Sequence, residues 1–398
     1  MPLRSPTHHR RYDIPPDRAD GSSSLIHHAL ILTGRLGRIP PLTLLPLWVG
    51  LAALTGWVWQ PPLSLAAAAG FVIFFSGDWA FLAWLPRTDR SWGPVTPPLL
   101  GLALVRALLF ILGALVWRGP LGLGVTGIVN LVLTGVAFYA TWIEPCRIQL
   151  TQETYTVSAW RAGTTIRVLH ISDIHYEGLS LRERRLMDLV EEQAPDLIVL
   201  TGDYLNLSSV YDPEAQAGVR DLLGRFRAPY GVYAITGSPV VDIPTVVPRI
   251  FEGLPIQWLD DEGVEISVHG QTFWLLGVRN TYHEERDAEA LTALAAATPS
   301  DAFRVLLYHT PDLMPLVAET GVDLYLCGHT HGGQIRLPLY GAVATSSRWG
   351  KRYEQGRYRE KGTTLYVSRG LGLEGLGAPR ARFLSPPEVI LWEFRGLG

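Results

Sequence analysis

Six side chains able to bind a metal ion lie in short polar clusters in the second half of the chain. They are Asp173, His175, Asp203, His309, His329 and His331. Carboxylate oxygens and imidazole nitrogens, without thiolate sulfur, suit Mn, Fe or Zn better than Ca or Mg. Residues i and i+2 of an extended turn point the same way, so Asp173 with His175, and His329 with His331, could each hold one ion. The pattern predicts a centre for divalent metal ions.

A short apolar run of strand length precedes each of these clusters. The predicted strands span residues 166–171, 197–200, 232–235, 273–278, 305–308, 324–327, 364–367 and 389–394. Predicted helices lie between several of them, at 181–193 behind the capping-box residues Ser180 and Glu183, and at 213–226, 244–251 and 285–297. This alternation is typical of an α/β domain, in which loops at the carboxyl ends of the strands converge to form the functional site.

With these clusters in this order, the chain resembles the calcineurin-like metallophosphoesterase superfamily. It is most similar to the bacterial membrane-associated branch whose last metal motif reads GHTHGGQ, here Gly328 to Gln334. The resemblance covers about residues 160–390 and includes the segment Val367 to Gly372. It implies an α/β fold built as a two-sheet β-sandwich flanked by helices, with two divalent metal ions at the strand ends.

The resemblance also implies a role for each candidate residue. One ion would take Asp173, His175 and His331, the other would take His309 and His329, and Asp203 would bridge both. A shared carboxylate suits this arrangement because two divalent ions a few ångströms apart repel each other strongly. Asp203 and His309 are the expected catalytic residues. The implied reaction is hydrolysis of a phosphate ester by a metal-bound hydroxide.

The third motif departs from the family pattern. The family has GNHD, in which Asn binds the second metal and His assists the leaving group, whereas this chain has Gly237-Ser238-Pro239-Val240. Ser238, the remaining candidate ligand there, is a poorer ligand than an amide oxygen, and Pro239 cannot transfer a proton.

Three interpretations of this departure remain open. The enzyme is active with a weakened second metal, or Asp242 substitutes as a ligand, or the chain is a membrane sensor or scaffold that binds metal or phosphate and has lost turnover. Four further residues at the rim could contact phosphate: Tyr176, Asn206, His283 and Arg369.

Residues 40–142 have a composition suited to lipid. Their charged residues are only Asp78, Arg87, Asp89, Arg90, Arg106 and Arg118, and they contain eight of the 13 tryptophans. Four apolar spans, at about 42–59, 63–85, 98–117 and 121–142, approach the roughly 20 residues that a membrane-crossing helix needs. Tryptophans at the ends of the spans fit an interfacial aromatic belt.

Arginine distribution predicts the orientation of these spans. Eight arginines lie in the N-terminal tail or in the link between the second and third spans: Arg4, Arg10, Arg11, Arg18, Arg35, Arg38, Arg87 and Arg90. The link between the third and fourth spans has only Arg118. By the positive-inside rule the N-terminus and the phosphoesterase domain lie in the cytoplasm, and the protein is a multi-pass protein of the cell inner membrane. The predicted domains are a basic polar tail at 1–39, a membrane domain of about four helices at 40–143 and the phosphoesterase domain at 144–398.

Asp78 and Arg106 are expected to lie at similar depths on adjacent antiparallel helices. A structural ion pair would lower the cost of burying both charges, and an ion or substrate path is the functional alternative.

Composition argues against nucleic acid as a partner and against a fold held by disulfides. A net charge of −3 does not indicate the basic surface that binding of nucleic acid requires. Cys146 and Cys327 are too few for a disulfide framework. The resemblance and the apolar spans together give the leading hypothesis, a membrane-anchored phosphoesterase whose substrate is a phosphate ester, with a membrane lipid or lipid-linked phosphate as the suggested class.

Overall fold

The computed structural model describes residues 25–397, and their side chains from residue 31 onward. The described chain divides into two compact units. One takes in His27–Ile143 together with Gly375–Ala381, and the other takes in Glu144–Glu374 and the chain from Arg382. Most of the expected basic tail, residues 1–24, lies outside the described residues, whereas its end forms a helix at Leu25–Gly37.

Long apolar helices make up the first unit. After α1 (Leu25–Gly37) they are α2 (Leu45–Trp59), α3 (Ser64–Trp84), α4 (Thr96–Val116) and α5 (Pro120–Phe138), the last extended by a π-turn at Tyr139–Ile143. By length and composition, four helical segments of the described residues could cross a membrane: Pro41–Trp59, Ser64–Arg87, Thr96–Val116 and Pro120–Cys146. The breaks fall where the sequence places proline, because proline suits the first turn of a helix but not its interior.

The predicted pairing of Asp78 with Arg106 is confirmed. Nε and Nη2 of Arg106 donate to the two carboxylate oxygens of Asp78, at 2.6 and 2.7 Å. Nη1 of Arg106 donates to the backbone oxygen of Asn130 at 3.1 Å, and Nη2 also donates to the Thr134 hydroxyl at 2.9 Å. The network joins α3, α4 and α5, and Arg106 is fully buried.

Two six-stranded sheets form the second unit. The strands are β1 (Gln149–Val157), β2 (Thr165–Ile171), β3 (Leu197–Leu200), β4 (Val232–Ala234), β5 (Ile256–Trp258), β6 (Glu262–Val268), β7 (Gln271–Gly277), β8 (Arg304–Leu307), β9 (Leu324–Cys327), β10 (Arg336–Leu337), β11 (Gly341–Ala342), β12 (Gly356–Glu360), β13 (Thr363–Val367) and β14 (Glu388–Gly396). One sheet has the order β1-β14-β2-β3-β4-β5 and the other β12-β13-β9-β8-β7-β6, while β10 and β11 form a separate hairpin.

The central strands of both sheets are parallel. Strands β2 to β5 run parallel in the first sheet, and β7, β8, β9 and β13 do so in the second. Their carboxyl ends therefore lie at one edge of each sheet, which is where parallel sheets place functional loops.

Helices cover the outer face of each sheet. They are α6 (Leu181–Gln193), α7 (Pro213–Leu223), α8 (Val247–Phe251), α9 (Glu284–Ala297) and α10 (Met314–Val317). Side chains alternate between the faces of a strand, so Val168 of β2 packs in the core between the sheets with Val305, whereas Leu169 packs against Leu186 of α6. The α/β fold with two sheets agrees with the expectation from the sequence. Strands β1, β5, β6 and β12 and the β10–β11 hairpin were not predicted.

Candidate metal centre

Loops that follow parallel strands supply every predicted metal ligand. Asp173 and His175 follow β2, Asp203 follows β3, Ser238 follows β4, His309 follows β8, and His329 and His331 follow β9. Each strand is an apolar run that ends where the chain leaves the core. All of these side chains are buried except His329, which is partly exposed.

Asp173, His175 and His331 form the first trio. One potential ligand atom from each lies within 4.8 Å of those of the other two. The Nε2 atoms of His175 and His331 are 3.0 Å apart, and Nε2 of His331 is 3.8 Å from Oδ1 of Asp173. The trio joins loops from both sheets.

Asp203, His309 and His329 form the second trio, also within 4.8 Å. Ser238 lies among them. Its hydroxyl oxygen is 3.2 Å from Oδ2 of Asp203, 3.2 Å from Nε2 of His309 and 3.4 Å from Nδ1 of His329. The structure therefore places Ser238 among the second group of candidate ligands.

One carboxylate oxygen lies between the two trios. Oδ2 of Asp203 is 3.2 Å from Nε2 of His309 and 3.5 Å from Nε2 of His175. The other oxygen of Asp203 accepts a hydrogen bond from the Ser238 N–H at 2.6 Å. Asp203 is thus fixed with a single oxygen directed toward both groups of histidines.

The donor set fits divalent ions. Ligand atoms about 2.1 Å from a shared ion lie roughly 3.0–3.4 Å apart, and the shortest separations within both trios match this. Burial lowers the pKa of His175 to about 4 and that of His329 to about 3, and it lowers the pKa of His331 as well. These imidazoles are therefore neutral, with lone pairs available. Two neutral nitrogens 3.0 Å apart are well accommodated by a cation between them.

His309 and Asp203 each stabilise the charged form of the other. Burial disfavours the imidazolium of His309, but the adjacent Asp203 carboxylate outweighs burial and raises the pKa of His309 to about 10. Burial likewise opposes ionisation of Asp203, yet His309 keeps the pKa of that carboxyl below its usual value. Nδ1 of His309 lies 2.7 Å from the Thr201 carbonyl oxygen, which directs Nε2 toward the site.

The backbone at the ligands is not the extended turn that the i, i+2 spacing suggested. Asp173, His175, Asp203, His329 and His331 all have positive φ, between 44° and 70°. Non-glycine residues rarely adopt this left-handed conformation, and it concentrates at functional sites where the surrounding structure enforces it. The two pairs therefore share a side because of tight turns, and the expected extended geometry was wrong.

Glycines let the ligand loops pack closely. A Cβ at Gly328 would lie 2.0 Å from Oδ2 of Asp173, and a Cβ at Gly372 would lie 2.4 Å from Cβ of His175. Gly372 belongs to the segment after β13 that the resemblance had already included. Here glycine is required for close approach to the ligands rather than for turn geometry alone.

Asp242 does not act as the substitute ligand considered from the sequence. Its Oδ2 accepts hydrogen bonds from the N–H groups of Asp203 and Gly237, both at 2.7 Å, and its Oδ1 accepts one from Tyr204 at 3.0 Å. Both oxygens are directed to the backbone of the two ligand loops. Asp242 therefore holds the β3 and β4 loops together.

Three of the four expected rim residues are buried or bonded within the protein. Tyr176 and Asn206 are buried, and Asn206 donates to the Leu373 carbonyl at 2.7 Å. Arg369 pairs with Glu388 at 2.8 Å. Phosphate contact by these three residues stays a prediction, as it does for His283, which is exposed at the start of α9.

Sequence reasoning missed Arg382. It is fully buried, donates to the carbonyls of Gly370 and Gly372, and lies 3.2 Å from Nδ1 of His331. It thereby fixes the glycine-containing segment against the first trio. Glu374 was also missed, and its Oε1 lies 3.7 Å from Nε2 of His331. Neither has a local sequence signal, because both act through contacts that only the folded chain forms.

Comparison with known proteins adds an independent observation. Residues 166–333 match the family model of the calcineurin-like phosphoesterases. The uncharacterized metallophosphoesterase YkuE of Bacillus subtilis is 30% identical over 277 residues, which cover 65% of this chain and 89% of that protein. The chain belongs to the calcineurin-like metallophosphoesterase family.

Two further relatives carry named activities. The phosphodiesterase YaeI of Escherichia coli is 29% identical over 57% of this chain and 81% of its own length. The UDP-2,3-diacylglucosamine pyrophosphatase LpxG of Chlamydia trachomatis is 23% identical over 67% of this chain and 96% of its own length. This metallophosphoesterase is thus a member of a family of dimetal hydrolases that act on phosphate esters.

Proposed function

We propose that the protein is a metal-dependent phosphoesterase anchored in the cell inner membrane by its apolar helices. The observation that carries the proposal is the position of Asp203, whose Oδ2 lies within 3.5 Å of histidines from both trios. The proposed domains are the tail at 1–39, the membrane domain at 40–143 and the phosphoesterase domain at 144–398, with the last in the cytoplasm.

Each trio would hold one divalent ion of Mn, Fe or Zn. Asp173, His175 and His331 would hold the first ion, and Ser238, His309 and His329 the second, with Asp203 serving both. When bound, such ions polarise the phosphate ester and activate water. Neutral histidines and ionised aspartates are the forms that bind metal, so binding of the second ion would displace the proton of His309, and acid should release both ions.

Among the candidate ligands, Asp203 and His309 are the proposed catalytic residues. Asp203 balances the charge of both ions and is oriented by the Ser238 N–H. His309 is oriented by the Thr201 carbonyl and directs Nε2 toward the reacting centre. The surrounding β-strands keep these groups buried, which strengthens their electrostatic interactions with a phosphate.

A lipid-linked phosphate ester is the proposed substrate class. Two observations support it: four helices are apolar enough to cross a membrane, and the relative LpxG is named for a diacylated sugar nucleotide. A second candidate function, a metal-binding sensor with little turnover, is favoured by Pro239, which has no group able to protonate a leaving oxygen. Loss of such a proton donor costs on the order of 10²–10⁴-fold in rate.

Hydrolysis of bis(p-nitrophenyl) phosphate by the purified full-length chain with Mn²⁺ tests the proposal. We expect Asp203→Asn to lower the rate by at least about 100-fold. Asp212→Asn is the matched control, because Asp212 caps α7 at the surface and asparagine caps equally well. If wild type is no faster than Asp203→Asn with Mn²⁺, Fe²⁺ or Zn²⁺, the hydrolase proposal is wrong and the sensor is favoured.

A further inference from the structure

The β10–β11 hairpin exposes an uninterrupted apolar tip. Leu337, Pro338, Leu339 and Tyr340 are all exposed, and Leu339 is completely so. Val343, just past the hairpin, is also exposed. We call residues 337–343 the apolar hairpin. Connecting loops in water are usually polar, and contiguous exposed apolar groups mark surfaces that contact a partner or a membrane.

The groups beside the tip have the chemistry of a membrane interface. The Lys351 ammonium lies 3.5 Å from the centroid of the Tyr340 ring and donates to the backbone oxygen of Tyr340. Tyrosine places an apolar ring in lipid with its hydroxyl in the headgroups, and lysine extends its ammonium toward the polar layer. An apolar tip with this tyrosine–lysine pair therefore suits anionic lipid headgroups above acyl chains.

The base of the apolar hairpin is connected by hydrogen bonds, through residues 383–385, to a ligand of the first metal trio. Ile335 forms a bridge with Phe383, and the Arg336 N–H donates to the Phe383 carbonyl at 2.9 Å. Two residues further on, the Ser385 hydroxyl donates to the carbonyl of His331 at 2.8 Å. A metal ligand and the hairpin thus share one layer of loop structure.

The same loops also contact Glu144, the first residue of the Glu144–Glu374 segment of the second unit. Glu144 follows directly on the π-turn that ends at Ile143, and its Oε1 accepts the Ser385 N–H at 2.6 Å. Leu384, beside Ser385, is another exposed apolar side chain. Hydrogen bonds to residues 383–385 therefore connect the start of the phosphoesterase domain, the hairpin base and the first trio.

We propose that the apolar hairpin inserts into the lipid bilayer surface next to the metal centre and that phosphate esters embedded in the bilayer reach the site there. The insertion stands on the exposed residues and their bonding, while the delivery of substrate rests on the proposed phosphoesterase function. The occupant of this surface is lipid rather than a second copy of the chain.

Spin labelling of the full-length chain in phosphatidylglycerol-containing nanodiscs tests insertion directly. A nitroxide is attached at Leu339→Cys in a Cys146→Ser background, and the native Cys327 is fully buried. Ser267→Cys, exposed on edge strand β6, is the control. We expect the label at 339 to be relaxed by oxygen but shielded from a water-soluble nickel chelate, and the label at 267 to show the reverse.

Equal nickel accessibility at both positions would overturn the insertion. Dipolar broadening at 339 that disappears on dilution with unlabelled protein would also overturn it, in favour of contact between two copies. For delivery, an aryl phosphodiester with an acyl tail in vesicles is compared with the same ester lacking the tail. The double variant Leu339→Asp, Tyr340→Ser should lose at least tenfold on the first and be unchanged on the second.

Equal rates of this variant and wild type on the tailed ester would overturn delivery. If wild type hydrolyses neither ester, the proposed phosphoesterase function fails, while the label at 339 still decides insertion.

Discussion

Replacement of Arg106 by leucine should strongly destabilise the helical unit. The change leaves the buried Asp78 carboxylate without the two N–H donors that now lie 2.6 and 2.7 Å from its oxygens. Removing one partner of a buried ion pair typically costs about 3–5 kcal/mol, because the remaining charge is not compensated. We expect a loss of this size for Arg106→Leu and a similar loss for Asp78→Leu. The double leucine variant should recover most of it.

The exchanged pair, Asp78→Arg with Arg106→Asp, should recover only part of the lost stability. The exchange restores the ion pair but removes the bonds from Arg106 to Asn130 and to Thr134. Interhelical hydrogen bonds in membranes average about 0.6 kcal/mol each. Three lost bonds place the exchanged variant roughly 2 kcal/mol below wild type, whereas Arg106→Glu, which brings two acids together, should be the least stable.

Equilibrium unfolding in mixed micelles of dodecyl maltoside and dodecyl sulfate measures these differences. Tryptophan fluorescence is a suitable probe because eight of the 13 tryptophans lie between residues 40 and 142. Arg118→Leu is the matched control: Arg118 is exposed between α4 and α5, and its loss should cost about 0.5 kcal/mol or less. The reasoning is refuted if Arg106→Leu is no worse than Arg118→Leu, or if the double variant loses the sum of the two single losses.

Three further variants test the metal centre, and the measurement is the amount of metal bound per chain. Asp203→Asn should lower occupancy of both ions, since one oxygen faces both trios; loss of a single ion would contradict a shared role. Ser238→Asn should tighten the weaker ion on the order of tenfold in a Mn²⁺ titration, because an amide oxygen is the better ligand; unchanged affinity would show that the hydroxyl is not limiting. Gly372→Ala should release the first ion, since its Cβ would lie 2.4 Å from Cβ of His175, whereas Gly135→Ala, which meets open space, should retain it.

Local signals explain which elements the sequence predicts well. The apolar run at β3 appears in the structure at Leu197–Leu200, as predicted, and the capping box of Ser180 and Glu183 opens α6 at Leu181. The four apolar spans likewise agree with the helices to within a few residues. Each of these elements is bounded by residues whose preference is local, such as proline, glycine or a capping serine.

Strands whose identity depends on a distant partner were missed. Strand β1, Gln149–Val157, is mostly polar and partly exposed, and it is held by parallel pairing with β14 near the end of the chain. Strand β12 is similarly half exposed and pairs with β13. Their side chains do not form a continuous apolar run, so pairing rather than composition determines their structure.

The candidate site divides in the same way. The types and order of the six side chains could be predicted because each follows an apolar strand. The left-handed backbone at Asp173 and His331, and the bonds of Asp242 to three backbone N–H groups, could not. These features arise where loops from separate strands meet, and no short segment of sequence contains both partners.

Ser238 and Pro239, which stand where the resemblance implies asparagine and histidine, affect the two trios unequally. The first trio contains Asp173 of its own, whereas the second has only the shared Asp203 for negative charge. The hydroxyl of Ser238 lies within 3.4 Å of all three side chains of the second trio, so the departure leaves a neutral oxygen among them. Since an ion in the first trio would also draw on the charge of Asp203, the second ion should be the weaker one. Turnover would then depend on filling the site that the sequence change has weakened.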